Sequence, residues 1–365
     1  MKQEEVRQLL IRYQNGECSE TEKAFLEQSI LVYNEDEPEL DATHLAQIKE
    51  EIFAKLPKAT QRTIPLKIWV AISGAAAGLI ITLAILMTSH KSQQADANAI
   101  AEKIFPAGNV ASITLDNGKQ LMLSTTHQEV MVNDTSLRYK NGEQININKK
   151  SQNQTIQTPK GGEYKIVLSD GTKVWLNAAT VLQYPTSFRE RTERKVTLVS
   201  GEAYFEVAKD RKHPFIVHSR DQRLMVLGTH FNINTYEKFI KTVLLEGSVK
   251  LNSTQSSDST KLKAGEKSVI VRNKFEKTDA DIALEMAWIK GKMKFKNADL
   301  KSILSEAERW YNIQVVYIGD IPKINLTGGM DRKSSLATLL KLLKMSGVNY
   351  SLEEKSGKHT VYITQ

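Results

Sequence analysis

From Ile68 to Met87 the chain is apolar without interruption: twenty residues (IWVAISGAAAGLIITLAILM) and no charge. At about 1.5 Å per residue this predicts a helix about 30 Å long, the thickness of a bilayer's hydrocarbon core. Its hydroxyls, Ser73 and Thr82, can bond back to the helix itself. Ahead of this run the apolar positions fall at helical spacing. Val6, Leu9, Leu10 and Tyr13 share one face, and Asn15-Gly16 supplies a stop. Ser19 and Glu22 form a capping box for a second helix that carries Phe25, Leu26 and Ile30. Asp41 caps a third with Leu45, Ile48, Ile52 and Leu56 on one side, and Pro57 ends it. Three such short helices bury little by themselves. They complete their core on a partner, by setting an apolar face into a groove, or stand as a small bundle that anchors the membrane helix. The residues leave both readings open.

Beyond about residue 108 the period drops to two. Asn117-Gly118, Asn141-Gly142 and Asp170-Gly171 are each flanked by strand-like residues, a type I′ hairpin signature. Leu115–Leu123 matches Leu168–Leu176 at a displacement of 53 residues, which suggests layered β units, solenoid-like or stacked as sheets. Further strands are predicted at Arg194–Val199, Glu202–Val207, Phe215–His218, Leu224–Leu227, Phe231–Thr235, Thr242–Leu245, Ser248–Leu251 and Ser268–Arg272. Gly201, Gly228, Gly247 and Gly265 fall between or beside them, and the polar stretch Asn252–Thr260 reads as an exposed loop.

After about residue 276 the pattern changes again. Lys292–Lys296 reads as a strand. Asp299 caps a helix to Tyr311 with Leu300, Ile303, Leu304, Ala307 and Tyr311 inward. Ile313–Ile318 is apolar enough for a central strand, and Ile324–Thr327 follows. Ser334 caps a second helix with Leu336, Leu339, Leu340 and Leu343 on one face, and Gly347 closes it. Val348–Leu352 and His359–Thr364 form a last hairpin around Lys355-Ser356-Gly357. The expected fold class is therefore multi-domain: a short all-α cytoplasmic bundle (1–66), one transmembrane helix (68–87), and a β-rich membrane-proximal segment (95–154). An all-β domain (155–275) follows, then a small α/β domain (276–365) with two helices on one sheet.

Charge sets the orientation. Lys55, Lys58, Arg62 and Lys67 precede the apolar run closely, and only Lys91 follows at similar range, so the N-terminus is expected in the cytoplasm. The run starts too deep, is too long and lacks a following cleavage site for a signal peptide. Residues 1–66 hold 8 Lys+Arg against 13 Asp+Glu, a net −5 that leaves +13 on the remainder. The acidic piece argues against DNA and suits a basic protein partner. The basic part lies outside, where positive charge keeps a β-rich domain soluble. Cys18, the single cysteine, excludes an internal disulfide and reads as a small packing residue in a reducing compartment.

Chemistry is sparse. The histidines at 44, 90, 127, 213, 218, 230 and 359 show no metal-ligand spacing, so no metal or other cofactor is expected. There is no phosphate loop and no nucleophile elbow, which argues against an enzyme acting on an external substrate. One local feature stands out, Val226-Leu227-Gly228-Thr229-His230-Phe231. Leu224 to Leu227 are apolar on both strand faces, whereas afterwards only Phe231 and Ile233 are. A glycine at such a switch marks a bulge or a close backbone approach. A strained Gly228-Thr229 bond is also open to attack by the Thr229 hydroxyl on the Gly228 carbonyl, an N-to-O acyl shift that cuts the chain. The residues by themselves favour the structural role.

The layout resembles the FecR family of single-pass anti-sigma regulators, in the form found in Bacteroidetes-type bacteria. The resemblance rests on Arg12–Ser19, on Thr158–Tyr164 leading into Leu168–Ala178, and on Gly201–Val207. Leu227–Phe231, Leu245–Val249 and the C-terminal boxes Asn297–Leu300, Arg309–Tyr311 and Leu326–Gly328 complete it. It implies that residues 1–66 hold an extracytoplasmic-function sigma factor, with Val6, Leu9, Leu10, Tyr13, Phe25, Leu26, Leu45, Ile48 and Ile52 as candidate contacts. It implies an inner-membrane location, with periplasmic domains that sense the signalling domain of a TonB-dependent outer-membrane receptor. The C-terminal piece is similar to the signalling domain of secretins and those receptors. Some relatives are cut at the Gly-Thr of this box, which makes Gly228 and Thr229 candidate self-cleavage residues. Residues 1–66 contain no tryptophan, unlike the iron-transport members, so exact sigma contacts do not carry over. The competing reading is a membrane-anchored periplasmic β protein that binds glycan or cell wall.

Overall fold

The computed structural model describes residues 97–134, 136–145 and 152–364. The expected cytoplasmic helices, the apolar run 68–87 and all nine candidate sigma contacts lie outside them. Among the described residues no helix is long and apolar enough to cross a membrane.

The described chain is mostly β, which corrects the expected fold class. The strands begin with β1 (Gly108–Asn109), β2 (Ser112–Leu115), β3 (Gln120–Met122), β4 (Glu129–Asn133), β5 (Ser136–Tyr139), β6 (Gln144–Ile145) and β7 (Asn153–Gln157). Next come β8 (Gly162–Val167), β9 (Lys173–Leu176), β10 (Val181–Pro185), β11 (Arg194–Ser200), β12 (Glu202–Glu206), β13 (Phe215–Ser219) and β14 (Gln222–Val226). The series ends with β15 (His230–Asn234), β16 (Ile240–Glu246), β17 (Ser248–Ser253), β18 (Ser259–Lys263), β19 (Glu266–Val271) and β20 (Lys274–Asp279). One sheet has the order β20-β19-β16-β15-β12-β9-β8-β4-β5-β6, with β1 against β8; the other has β18-β17-β14-β13-β11-β10-β7-β2-β3. Strands from either side of residue 154 thus share both sheets.

Alternating burial along the strands turns one face of each sheet inward, and the two faces close on one core. Phe205 stacks on Phe231 at 4.9 Å between ring centres, and Phe215 meets Phe205 at 6.3 Å. Successive hairpins alternate between the sheets: β13–β14 lie in one, β15–β16 in the other, then β17–β18 and β19–β20. The chain changes sheet at Gly201, at residues 227–229, at Gly247 and at Gly265.

The three Asx-Gly hairpins form, with a different turn from the expected type I′. Gly118, Gly142 and Gly171 have φ between +81° and +90°, and Asn117, Asn141 and Asp170 have no positive φ. Each is a three-residue loop, closed in the first by Leu115 N donating to Lys119 O and Gly118 N to Leu115 O. The Asx side chain decides it: Asn117, Asn141 and Asp170 each accept from the backbone N–H two residues on, which holds a type I turn and leaves the left-handed position to glycine.

The C-terminal part follows the expected element order but not a single sheet. β21 (Lys292–Asp299) pairs with β23 (Asn325–Asp331), while β22 (Gln314–Tyr317), β24 (Asn349–Lys355) and β25 (Lys358–Thr364) form a separate sheet ordered β22-β25-β24. The strand expected at the centre, β22, is an edge, with Gln314 exposed and Val315, Val316 and Tyr317 only partly buried. Helix α1 (Leu300–Trp310) and helix α2 (Leu336–Met345) bury Leu300, Ile303, Leu304, Ala307 and Leu336, Leu339, Leu340, Leu343 in one core between these sheets. Asp299 caps α1 by accepting from Ser302 N at 2.9 Å. The residue at the N-cap of α2 is Ser335, not Ser334, and its side chain makes no capping bond. A helical turn at 97–101 joins this core through Ala97 and Ala101, so the chain ahead of the sandwich packs on the part behind it.

Candidate functional site

The Gly228–Thr229 bond lies where the chain leaves β14 in one sheet and enters β15 in the other. Leu227 is 48% exposed and Thr229 5%, so the corner descends from surface to core within three residues. The segment after β12 clamps it. Val207 N donates to Thr229 O at 3.0 Å, and Asp210 N to Leu227 O at 2.9 Å. Gly228 has φ +147°, and a Cβ built there would lie 2.6 Å from Lys209 Cγ and 2.8 Å from Lys209 Cα. Close backbone approach is therefore the reason for glycine, one of the two causes its sequence context suggested. The irregular register lies one step on, between His230 and Phe231 opposite β16.

The Thr229 hydroxyl is buried and makes no hydrogen bond within the described residues. Its methyl faces Gly247, the sheet-change residue after β16, where a built Cβ would come within 2.5 Å of Thr229 Cγ2. His230 Nδ1 lies 3.1 Å from Glu246 Oε2 beside it on the surface. The corner thus sets a desolvated hydroxyl beside a peptide unit whose flanking carbonyls are held by the segment after β12.

A second constellation joins the sandwich to the C-terminal part. Arg332 is 2% exposed and lies 3.5 Å over the centre of the Trp310 ring. Its Nη2 donates to Asn177 Oδ1 at 2.6 Å, Asn177 Nδ2 donates to Glu202 Oε2 at 2.7 Å, and Asn232 Nδ2 donates to Glu202 Oε1 at 2.9 Å. Alongside, the Arg309 guanidinium stacks on Tyr236, and Gly161 N donates to Arg309 O. A cleft of about 230 Å³ opens between Glu202, Asn234 and Tyr236 on one wall and Ser302, Glu306 and Arg309 of α1 on the other. Burial pushes the Glu306 carboxyl up, and Glu202 adds to it; Arg332, Arg309 and Lys241 oppose.

The FecR protein family matches residues 154–250, and the FecR C-terminal family matches residues 292–362. The chain belongs to the FecR family. The first match covers the clamped corner and most of the sandwich; the second covers β21 to β25. Two crystal structures of candidate anti-sigma factors from Parabacteroides distasonis ATCC 8503 are similar to this FecR chain. One is 28% identical with a TM-score of 0.51, the other 29% with 0.50, and each covers 57% of this chain and 98% of its own. No curated protein matches the chain.

Gly247, Lys209 and the Arg332–Asn177–Glu202 chain were not singled out by sequence reasoning for this site. Gly247 stood within a family box but gave no sign that it meets Thr229, 18 positions away along the chain. Asn177 and Arg332 are 155 positions apart, and no local pattern marks such a pair.

Proposed function

We propose that this FecR-family regulator is a single-pass inner-membrane anti-sigma factor with its N-terminus in the cytoplasm. Residues 1–66 hold an extracytoplasmic-function sigma factor. The region beyond the apolar run 68–87 lies in the periplasm and responds to the signalling domain of a TonB-dependent outer-membrane receptor. The observation that carries the reading is the order of parts: a FecR match and a FecR C-terminal match, both downstream of twenty uncharged apolar residues. The candidate anti-sigma factors similar to it support the cytoplasmic partner. The net −5 of residues 1–66 suits a basic protein surface there.

Release of the sigma factor starts with a cut at Gly228–Thr229 and is completed by further proteases, because the strands on both sides of the cut stay paired within the two sheets. Thr229 Oγ1 adds to the Gly228 carbonyl carbon, the C–N bond breaks, and the hydroxyl proton passes to the departing nitrogen. Water then hydrolyses the ester, which leaves a carboxylate on Gly228 and a free amino group on Thr229. A lone membrane helix transmits poorly by tilting, so loss of the outer part is the more decisive switch. The test is affinity capture of the detergent-solubilised full-length chain from its own cells. A sigma factor is expected among the bound proteins, and reproducible capture without one overturns the reading. Protease shaving of inner-membrane vesicles checks the orientation: the two ends are expected on opposite sides.

A further inference from the structure

We propose that Gly247 is a positioning residue for the Gly228–Thr229 bond: its missing side chain fixes the rotamer of Thr229. The inference rests on the cleavage reading above. Three facts meet at this point. A Cβ on Gly247 would lie 2.5 Å from Thr229 Cγ2, 3.4 Å from Thr229 Cβ and 3.5 Å from Gly228 O. Thr229 is 5% exposed, so its methyl has little other space. The backbone of the corner is held from the far side by the bonds from Val207 N and Asp210 N.

Threonine is stiff about χ1, and its wells exchange the methyl and the hydroxyl in steps of about 120°. With the methyl seated on the bare face of Gly247, the hydroxyl is confined to one direction, and there it has no hydrogen-bond partner. The contact thus selects where the nucleophile sits relative to the carbonyl it attacks, and no atom of Gly247 takes part in the reaction. A side chain at 247 evicts the methyl and turns the hydroxyl into another well. Because 245–249 and 226–231 meet only through the fold, the two boxes form one device.

The prediction is a steric suppressor. In the purified full-length chain, cutting is followed by gel and by the mass of the fragment that starts at Thr229. Wild type is expected to cut, Gly247→Ala at least about tenfold more slowly, and the double variant Gly247→Ala with Thr229→Ser at the rate of Thr229→Ser alone. Serine keeps the hydroxyl and lacks the methyl that alanine displaces. Thr229→Ser by itself is expected to cut several-fold more slowly than wild type, because its hydroxyl is no longer pinned; this arm adds no strain at 247 and survives even if Gly247→Ala fails to fold. Equal rates for wild type and Thr229→Ser overturn the proposal, as does a folded double variant far slower than Thr229→Ser. A wild-type chain that stays whole, with no fragment, overturns the cleavage reading and this inference with it, whereas cutting indifferent to residue 247 overturns the inference alone.

Discussion

At the scale of single residues, the molecule separates contacts by burial. Arg194 and Asp170 are 3% and 9% exposed and meet at 2.7 Å, with Arg194 also donating to the carbonyls of His213 and Ala208. Asp170→Ala leaves a buried guanidinium without its counter-charge and is expected to cost about 3–5 kcal/mol in urea unfolding. Breaking the more exposed Lys173–Glu206 pair with Glu206→Gln is expected to cost under about 1 kcal/mol in the same measurement. Gly228→Ala places a methyl on Lys209 in a conformation that only glycine occupies easily. A loss of about 1–3 kcal/mol or more is expected, read as a lower Tm. Glycine's role at 228 was legible as a class, since the apolar pattern switches there. What approaches it was not, because Lys209 comes from a different strand connection, the one that follows β12.

Elements show where local patterning is sufficient. The buried faces of α1 and α2 follow from leucine and isoleucine spacing, since a 3.6-residue period has one way to face a core. Asp299 as the cap of α1 is equally local. The Ser302 hydroxyl and backbone N–H hold its carboxyl below the usual carboxylate range. With the folded pKa below the unfolded value, its contribution is complete above the unfolded pKa of about 4 and is lost as pH falls through the folded one. Asp299→Ala is expected to cost about 1 kcal/mol at neutral pH and nothing once wild-type Asp299 is protonated, measured by urea unfolding at several pH values. Glu306 has the opposite sign. Its raised pKa means that stability is full below the ordinary glutamate value and declines as pH rises through the folded one, so Glu306→Gln is expected to flatten that decline. Strand order was not legible. β22 is apolar enough for a centre and sits at an edge, because neighbours are assigned by pairing partners that one strand's composition does not name.

For the whole molecule, the junction between sandwich and C-terminal part combines an apolar cluster of Tyr204, Met286 and Trp288 with a chain of buried polar atoms. Asn177 joins Arg332 to Glu202, so Asn177→Ala takes the shortest acceptor from a buried cation, leaving it Glu163 Oε2 and Trp288 O at 3.5 Å, and removes one donor from a buried carboxylate. The expected outcome is faster hydrogen exchange and proteolysis of residues 292–364 with the sandwich core still protected. By itself the sequence determined what depends on near neighbours: the uncharged run 68–87, the Asx-Gly hairpins, the inward faces of two helices and the order of strands and helices beyond residue 290. These follow from periodicity and from backbone preferences within a few residues. Only the tertiary structure decided which sheet each hairpin joins, that β22 lies at an edge, that Arg332 reaches Asn177, and that Gly247 leaves room for the methyl of Thr229. Each of those is a contact between distant stretches, chosen by packing volume and by the need to pair buried polar groups, and neither quantity is written in any short window of the chain.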